Sequence, residues 1–347
     1  MSTDLADTSD APRAGKSIPG PAGAALRLSP LSFGSAPIGN LYQGVDDEVA
    51  AAAVQCAWHL GVRHFDTAPY YGYGLSETRL GAVLSALPRD SFTLSSKVGR
   101  LIEEADGDGH DGFAVAGKRA VFDYSRDGVL RSVEASLKRL RTDRIDILLL
   151  HDIGELTHGG RHTTVLRQAL DEALPALAEL RTQGICRAIG IGVNEEAVCL
   201  QVMPRFRLDT IMLAGRYTLF EQSRSAQVMA LAQEQGVAIL AAGPYNSGLL
   251  GAADGPGQTY DYAPASAAVR ARAQQFYAIC ADQSIDVGAA ALQFPLAHPA
   301  VTSVVCGLRS SDEVEASVAR LRQPISATLW AQLRAAGLLG QQTPVPA

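Results

Sequence analysis

The sequence has few cysteines, and none of them is arranged as in a metal or disulfide site. Its 347 residues include five cysteines, which are widely spaced and odd in number. No CxxC pair and no Cys/His spacing of the kind that holds zinc occurs, so we expect no metal. Reduced thiols are typical of the cytoplasm, which is therefore the expected compartment. A chain of this length can bury a large core, so its stability requires neither metals nor disulfides.

Basic residues are also in short supply. The chain carries 30 Lys and Arg against 36 Asp and Glu, for a formal net charge of -6 at pH 7. A nucleic-acid interface needs a basic face, so nucleic acid is not an expected partner. No apolar run approaches the roughly 20 residues needed to cross a bilayer, and we expect no membrane span.

The composition of the first part of the chain is unlike that of a secretory signal peptide. Residues 1–24 are rich in Ser, Asp, Pro, Gly and Ala, without the basic and apolar regions of a secretory signal peptide. This composition predicts a disordered tail. Residues 25–347 are then expected to form one domain.

Within that domain, short apolar runs alternate with helical patterns eight times. Such alternation predicts a parallel sheet, and eight repeats predict closure into a (β/α)8 TIM barrel. An open doubly wound sheet is the alternative, but no GxGxxG follows the first strand. We expect long loops at about 99–125 and from 243 to 264. A helix at about 327–339 falls outside the eightfold count.

Reactive side chains cluster around one stretch, Arg63–Leu84, which reads RHFDTAPYYGYGLSETRLGAVL. Asp66 closes a strand there, and Tyr71 lies on the loop that follows. Lys97 lies in the third strand, and His151 closes the fourth. Active sites of such barrels form at the carboxyl ends of the strands, so we expect these four side chains to share one site.

These residue types suit proton transfer. A tyrosine with a pKa near ~10 is a poor base at neutral pH, but a nearby ammonium stabilises the phenolate and a carboxylate keeps the ammonium charged. A histidine beside the phenol can donate to a carbonyl or alcohol oxygen, while hydride moves elsewhere. Taken singly, a strand-end lysine is more often a salt-bridge partner and a buried histidine a satisfied core residue. Four at successive strand ends are much harder to attribute to accident.

Four segments carry a resemblance to a known family. FDTAPYYGYGLSE, SSKVG, RIDILLLHD and GLRSSDEVE resemble the aldo-keto reductase family, whose catalytic tetrad falls on Asp66, Tyr71, Lys97 and His151. The resemblance implies an NAD(P)-dependent oxidoreductase acting on CH-OH groups. In it, Tyr71 would accept the hydroxyl proton, Lys97 and Asp66 would lower the pKa of Tyr71, and His151 would orient the oxygen.

The flanking segments narrow the resemblance. SFGSAPIGNLY, FDYSRDGV, LAGRYTLFEQS, GPYNSGLL and AALQFPLAHPAV are similar to the bacterial aldose 1-dehydrogenase branch of the family. This implies oxidation of the C1 hydroxyl of an aldose, of the L-fucose or D-threo-aldose type, to a lactone. A pyridoxal 4-dehydrogenase activity and a non-catalytic, cofactor-binding regulatory subunit are the alternatives.

The resemblance also implies an NAD(P) cofactor extended over the barrel mouth. Amides of the loop after strand 7 would meet the pyrophosphate, and the segment after strand 8 would meet the adenosine end. In many members of the family, a Ser-Asn pair, a Gln and a stacking aromatic residue contact the nicotinamide ring and its carboxamide. This chain has other residues at those positions, so Asn194 or Tyr217 would contact the carboxamide instead. The cofactor candidates are Gly34, Ser35, Asn194, Tyr217, Pro244, Ser247, Gly248, Leu249, Gly307, Arg309, Ser310 and Glu315.

The charges near the last of these segments favour NAD over NADP. Asp312, Glu313 and Glu315 stand where NADP-preferring relatives carry a basic residue, and acids there repel a 2′-phosphate. Arg309, in contrast, would attract a 2′-phosphate and so favour NADP. Acidic residues are also common at helix N-termini because they interact favourably with the helix dipole, which is the alternative interpretation.

The long loops are expected to shape a pocket for a small sugar or a pyridoxal-like molecule. Polar or amphipathic side chains in or near these loops are the substrate candidates: Asn40, Tyr42, Tyr124, Arg216 and Asn246. The oligomeric state is not predicted by the sequence.

Overall fold

The computed structural model describes residues 16–18, 25–107, 112–252 and 254–346. Eight parallel strands close into a barrel in which each strand pairs with the next along the chain and the last pairs with the first. The strands are β1 (Leu31–Gly34), β2 (His64–Asp66), β3 (Thr93–Val98), β4 (Ile147–His151), β5 (Ala188–Val193), β6 (Thr210–Ala214), β7 (Ala238–Ala242) and β8 (Val301–Gly307). The predicted (β/α)8 TIM barrel is confirmed.

Helices pack around the outside of the barrel. Ser125, Ser266 and Ser310 each cap the start of one by accepting a backbone hydrogen bond. No helix of the described residues is long and apolar enough to span a membrane. The helices are α1 (Asp47–His59), α2 (Leu75–Leu84), α3 (Arg126–Leu140), α4 (Glu155–His158), α5 (His162–Gln168), α6 (Leu174–Thr182), α7 (Glu196–Val202), α8 (Ala226–Gln235), α9 (Ala267–Asp282), α10 (Val287–Gln293), α11 (Ser311–Arg322) and α12 (Ala327–Ala335).

Shorter helical segments complete this layer. Single 3-10 turns occur at Pro37–Gly39, Arg89–Ser91, Gly159–Arg161 and Phe294–Ala297. A π-helical segment, Ala169–Ala173, joins α5 to α6. Together α5, this segment and α6 run without a break from His162 to Thr182.

The barrel interior is divided into an apolar and a polar half. Successive residues of a strand point to opposite faces, so every second side chain enters the interior. On β4 to β7 most interior positions are apolar and are filled by Ile147, Leu149, Ala188, Met212, Ala238 and Leu240, with Thr210 and His151 as the polar exceptions. On β8 and β1 to β3 buried polar and charged side chains take their place: Ser303, Ser32, His64, Asp66, Ser95 and Lys97.

A short hairpin closes the N-terminal end of the barrel. Ser17–Ile18 pairs antiparallel with Leu26–Arg27, and Ile18 packs fully buried against the interior. Lys16 Nζ donates to the carbonyl oxygen of His298 at 2.7 Å. The prediction of a disordered tail through residue 24 is thus wrong for Lys16–Ile18, because one apolar side chain and one ammonium find partners on the barrel floor. Residues 1–15 and 19–24 lie outside the described residues.

Two further hairpins stand at the opposite end, which we call the mouth. Arg100–Glu104 pairs with Lys118–Phe122, and Thr259–Tyr260 pairs with Ala263–Pro264. Both lie in segments predicted to be loops, so those predictions missed them. The first hairpin is largely exposed and joined by opposite charges, which gives no apolar alternation to detect.

Candidate active site

Three neighbouring strands deliver charged or polar side chains to the mouth. Asp66 ends β2, Lys97 is the penultimate residue of β3, and His151 ends β4. Lys97 Nζ donates to Asp66 Oδ2 at 2.8 Å and to the carbonyl oxygen of Thr67 at 2.9 Å. Both charged side chains are only 2% exposed, so this is a buried ion pair.

Tyr71 reaches the same point from the loop after β2. Lys97 Nζ lies 4.6 Å from the centroid of the Tyr71 ring. The His151 ring lies 6.1 Å from the Tyr71 ring, centroid to centroid, and nearly perpendicular to it. The four side chains singled out in the sequence therefore lie together at the mouth.

The charges of the group follow from burial and from the ion pair. Burial acts to lower the pKa of Lys97, but the Asp66 carboxylate outweighs it and the pKa lies above its ordinary value. Burial raises the pKa of Tyr71, and the Lys97 ammonium opposes this rise without cancelling it. Burial, with Arg100 and Lys97, holds the pKa of His151 well below its ordinary value, so the imidazole is neutral. The site contains a charged ammonium between a carboxylate and a neutral phenol.

His151 can offer one N–H to a substrate. Its Nδ1 is buried and has no hydrogen-bond partner among the described residues. Its Nε2 lies 3.4 Å from Asp152 Oδ2. A neutral imidazole carries a single N–H, and of the two ring nitrogens Nε2 is the one that lies near a polar partner in the described residues.

The position of Tyr71 depends on close contact between two glycines. Gly72 has φ of +61°, and a Cβ there would lie 2.2 Å from the carbonyl oxygen of Gly39. A Cβ on Gly39 would lie 2.8 Å from the carbonyl carbon of Tyr71. The loop bearing Tyr71 therefore lies directly on the loop after β1, backbone to backbone.

We expect Gly72→Ala to lower both stability and turnover. The added methyl meets backbone and the residue keeps a left-handed φ, so the variant should lose more than about 1 kcal/mol of stability. Displacement of Tyr71 by about 1 Å can cost roughly 100-fold in rate. Gly184→Ala is the matched control, because Gly184 has φ of +80° and no atom within 4 Å of its Cβ position. Urea denaturation and steady-state kinetics on both variants test this; equal loss of turnover in both would contradict it.

The start of α2 anchors the same loop from behind. Ser76 Oγ donates to Ser35 Oγ at 2.6 Å. Glu77 is fully buried, accepts from Ser96 Oγ at 2.7 Å and pairs with Arg139 Nε at 2.6 Å. The Ser-Glu pair after the tyrosine loop thus fixes it to β1, β3 and α3.

Sequence reasoning missed a second ion pair beside His151. Arg100 Nη2 pairs with Asp152 Oδ2. The guanidinium of Arg100 lies 3.8 Å from the centroid of the Tyr70 ring and 4.7 Å from that of Phe122. The available signal was position, because Arg100 and Asp152 follow the ends of β3 and β4 as closely as the predicted residues do.

The backbone of Asp152 is held in an unusual conformation. Its φ is +49°, in the left-handed region that non-glycine residues seldom adopt. The carbonyl oxygen accepts from Tyr124 Oη at 2.9 Å and from His158 Nε2 at 2.8 Å, and the amide donates to Gly192 at 3.0 Å. Strained residues held by several contacts are frequent at functional sites.

Two of the five substrate candidates are occupied by protein partners. Tyr124 is 2% exposed, and its hydroxyl donates to the carbonyl oxygens of His151 and Asp152. Asn40 Oδ1 accepts from Val45 N at 3.0 Å and from Arg79 Nη1 at 2.8 Å. Both side chains support loops of the mouth.

Of the other three candidates, Tyr42 is exposed, whereas Arg216 and Asn246 are buried. Arg216 makes a bidentate pair with Asp261, at 3.0 and 3.1 Å for Nη2, and so ties the hairpin after β7 to the loop after β6. That hairpin carries Tyr262, which is 61% exposed, as is Tyr42. Asn246 is 4% exposed, and its Oδ1 has no hydrogen-bond partner among the described residues. No sequence signal pointed to Tyr262.

The cofactor candidates after β7 form a tight turn. Asn246, Ser247 and Gly248 have φ of +48°, +59° and +87°, so three consecutive residues are left-handed. Ser247 Oγ accepts from the amide of Tyr262 at 3.1 Å, which joins this turn to the hairpin of Thr259–Tyr260 and Ala263–Pro264, called the hairpin arm below. Pro244 begins the turn, and Leu249 follows its three left-handed residues.

Cofactor candidates elsewhere lie around the same rim. Gly34 and Gly307 end β1 and β8 and are register partners. Ser35 is fully buried, and its hydroxyl accepts from Ser76. Asn194 follows β5 and is half-buried. Tyr217 packs on Phe294 and is 3% exposed, but its hydroxyl has no hydrogen-bond partner among the described residues.

The start of α11 is a capped helix end. Ser310 Oγ accepts from the amide of Glu313 at 3.3 Å, and Glu313 Oε2 accepts from the amide of Arg309 at 2.9 Å. Arg309 Nε also lies 3.1 Å from Glu313 Oε1. Glu315 is exposed and touches Cys56 of α1, with Sγ 3.9 Å from Oε1. Within the described ranges, no group of three or more His, Cys, Asp or Glu side chains could hold a metal ion.

Comparison with known proteins gives three consistent findings. The model of the Aldo/keto reductase family matches residues 30–337. The chain is 39% identical over 331 residues to the pyridoxal 4-dehydrogenase of Microbacterium luteolum, across 90% of this chain and 95% of that protein. It is 37% identical over 332 residues to the D-threo-aldose 1-dehydrogenase of a Pseudomonas species, across 92% of this chain and 98% of that protein.

Solved structures agree with the sequence relatives. The chain is similar to the holo form of an aldo-keto reductase from Bacillus halodurans, with a TM-score of 0.70 and 26% identity, across 92% of this chain and 96% of that one. It also shares its fold with a glycerol dehydrogenase from Gluconobacter oxydans, with a TM-score of 0.70 and 21% identity, across 95% of this chain and 97% of that one.

Proposed function

The chain belongs to the aldo/keto reductase family of NAD(P)-dependent oxidoreductases, and on that premise we propose that it oxidises the C1 hydroxyl of an aldose to a lactone. The observation that carries the proposal is the buried Lys97–Asp66 pair beneath Tyr71, with the neutral His151 alongside. The sugars proposed are of the L-fucose and D-threo-aldose type, which a relative 37% identical to this chain supports.

Each of the four residues has a separate role in this proposal. Tyr71 accepts the proton of the C1 hydroxyl, and Lys97 stabilises the phenolate by its charge. Asp66 keeps Lys97 charged and fixes its position. His151 donates from Nε2 to the substrate oxygen and so sets the direction of the C1 hydroxyl. When bound, an oxidised nicotinamide ring supplies the acceptor for the hydride that leaves C1.

The rim of the barrel supports a place for the dinucleotide. Buried polar atoms usually have a hydrogen-bond partner, yet Tyr217 Oη and Asn246 Oδ1 have none among the described residues. Asn246 follows β7 at the mouth, where a polar group of a cofactor could satisfy its Oδ1, whereas the Tyr217 ring packs against Phe294 and His298, which precede β8. The left-handed run at Asn246, Ser247 and Gly248 exposes backbone amides of the kind that bind phosphates. These residues fit the group that the family uses.

We propose NAD as the preferred form of the cofactor. Arg309 is the basic residue that would attract a 2′-phosphate, but Glu313 lies against both its Nε and its amide. Asp312 and Glu315 are exposed on the same turn of the helix. Among the described residues, neither forms an ion pair with a basic side chain. A 2′-phosphate would therefore meet net negative charge. The five free cysteines support a reducing, cytoplasmic location.

A substrate panel tests the proposal. L-fucose, other aldoses and pyridoxal are each offered with NAD and with NADP, and cofactor reduction is followed by absorbance. We expect aldose-dependent reduction of NAD that exceeds that of NADP by about tenfold in kcat/KM, a difference of about 1.4 kcal/mol. Since burial raises the pKa of Tyr71, oxidation should be faster at a pH of about 9 than at neutral pH.

The same panel separates the alternatives. Reduction of NAD with pyridoxal but with no aldose would replace the aldose proposal by pyridoxal 4-dehydrogenase activity, which the relative that is 39% identical favours. Tight cofactor binding without turnover of any panel member would favour a regulatory, cofactor-binding role.

A further inference from the structure

A continuous chain of hydrogen bonds runs through the polar half of the barrel interior and ends on Asp66. Ser95 Oγ donates to Asp66 Oδ1 at 2.6 Å and lies 3.0 Å from His64 Nε2. His64 Nδ1 lies 2.7 Å from Ser32 Oγ, and Ser32 Oγ lies 2.5 Å from Ser303 Oγ. The four side chains behind Asp66 are all fully buried. They come from β3, β2, β1 and β8, which are consecutive in the barrel.

The number of protons on these side chains determines which atom donates in each hydrogen bond of the series. An ionised carboxylate only accepts, so the single hydroxyl proton of Ser95 is used on Asp66. The contact between Ser95 and His64 then requires the N–H of His64 to be on Nε2. Nδ1 of the neutral ring must accept, and it accepts from the hydroxyl of Ser32.

The far end of the chain follows the same rule. With its own proton on His64, Ser32 must accept from Ser303 Oγ. The Ser303 hydroxyl also lies 2.7 Å from the carbonyl oxygen of Ser29, so its proton is shared with the backbone there. The O–H and N–H dipoles of Ser32, His64 and Ser95 therefore all point toward the Asp66 carboxylate.

We propose that Ser95, His64 and Ser32 are positioning residues for the catalytic ion pair, which they serve by orienting Asp66 and stabilising its negative charge. The proposal rests on the function proposed above for Asp66, Lys97 and Tyr71. Lys97 occupies one oxygen of the carboxylate, Oδ2, and the chain occupies the other, Oδ1. With both oxygens held, the carboxylate cannot rotate away from Lys97.

The composition of the barrel interior supports a specific role for these side chains. Most interior positions on β4 to β7 are apolar, with Thr210 and His151 as the polar exceptions, so this fold fills much of its core without side-chain hydrogen bonds. Burying a hydroxyl or an imidazole is favourable only when each polar atom finds a partner. On β8 and β1 to β3 four such groups are placed in series, and the series ends on the buried carboxylate that holds Lys97.

The hydrogen-bonded series behind Asp66 should also influence the protonation of Tyr71. The charged or titratable groups around Tyr71 are Lys97 on β3, Asp66 on β2 and Asp152 after β4. His151 contacts its ring, and Tyr262 on the hairpin arm interacts with it. Donors on Asp66 reduce the negative potential that reaches the phenol. Loss of the Ser95 donor should therefore raise the pKa of Tyr71.

Nuclear magnetic resonance tests the direction of the chain in the unmodified protein. In protein labelled with ¹⁵N-histidine, the His64 ring should be neutral and protonated on Nε2, and should not change between pH values of about 6 and 9. Its signals are identified by their absence in His64→Gln. A proton on Nδ1, or titration in that range, would overturn the proposal. This test requires no substrate, so it stands apart from failure of the proposed activity.

Two serine variants on the same strand test the effect on catalysis. Ser95→Ala removes the donor to Asp66, whereas Ser96→Ala removes an equally buried hydroxyl that donates to Glu77. We expect Ser95→Ala to lower kcat for oxidation about tenfold at neutral pH, with KM unchanged, and to move the alkaline rise of kcat up by about one pH unit.

Ser96→Ala should leave the pH profile in place, and Ser95→Thr, which keeps the hydroxyl, should restore it. Ser32→Ala serves as the second variant if Ser95→Ala does not fold, with a shift in the same direction. An unchanged pH profile in Ser95→Ala and Ser32→Ala, or the same shift in Ser96→Ala, would show that these hydroxyls only satisfy one another in the core.

Discussion

Tyr71→Phe is expected to lose about 10²- to 10⁴-fold in kcat, because that is the usual worth of a positioned acid or base. The substitution removes one oxygen and leaves the ring, which lies against Lys97 and His151, unchanged. The pocket should therefore keep its shape. Without the phenol oxygen, the group proposed to take the hydroxyl proton of the substrate is missing. Binding of NAD, followed by protein fluorescence, should remain within about threefold of the wild type.

Tyr73→Phe is the matched control for that variant. Tyr73 lies on the same loop and is 2% exposed, with its ring packed against those of Tyr70 and Phe113. It also loses a phenol oxygen, but the residues its ring packs against are Tyr70 and Phe113. We expect turnover close to that of the wild type. Near-normal turnover in Tyr71→Phe would show that another group transfers the proton, and the mechanism proposed here would fall.

The barrel could be predicted from the sequence because its strands are short, fully buried and regularly separated. The run ILLLH of β4 is buried at every position, and so is AIGIGV of β5. Continuous apolar runs of this length are typical of parallel strands covered on both faces. The exposed hairpin Arg100–Glu104 with Lys118–Phe122 gave no such signal. Its strands are joined by the pair of Glu103 and Arg119, and charged cross-strand pairs resemble a solvated loop in sequence.

The meeting of the proposed catalytic residues could be predicted for the same reason, while their surroundings could not. Asp66, Lys97 and His151 lie at strand ends, and the barrel brings adjacent strand ends together whatever the loops do. The role of Tyr124 and Arg216 depends instead on which partner the folded loops bring. Tyr124 was a candidate for the pocket, yet it holds the carbonyl oxygens of residues 151 and 152 from below.

The hydrogen-bonded chain behind Asp66 is a further case of what a single sequence conceals. Ser32, His64 and Ser95 are dispersed over more than sixty positions and have no common motif, as the contacts span 32 residues and 31 residues. Only closure of the barrel brings β1, β2 and β3 into register. Alternation along each strand then directs these side chains into one interior.

Lys97→Met is expected to damage stability and activity through different causes, and a second substitution can separate them. Removing the ammonium leaves Asp66 buried at 2% exposure without its counter-ion, which typically costs about 3–5 kcal/mol. Urea denaturation should show this loss directly. Turnover should also fall by about 10²-fold or more, since the ammonium that favours the Tyr71 phenolate is lost.

The double variant Asp66→Asn with Lys97→Met removes the unpaired charge while keeping the side-chain volumes. Replacing a buried ion pair by neutral groups of similar size is often close to neutral in stability, so most of the lost stability should return. Activity should not return, because the positive charge beneath Tyr71 is still missing. If the double variant regained turnover together with stability, the charge of Lys97 would be dispensable, and the pair would serve only to hold β2 against β3. If stability stayed low while Asp66 was neutral, the loss would come from packing around residue 97 and not from a buried charge.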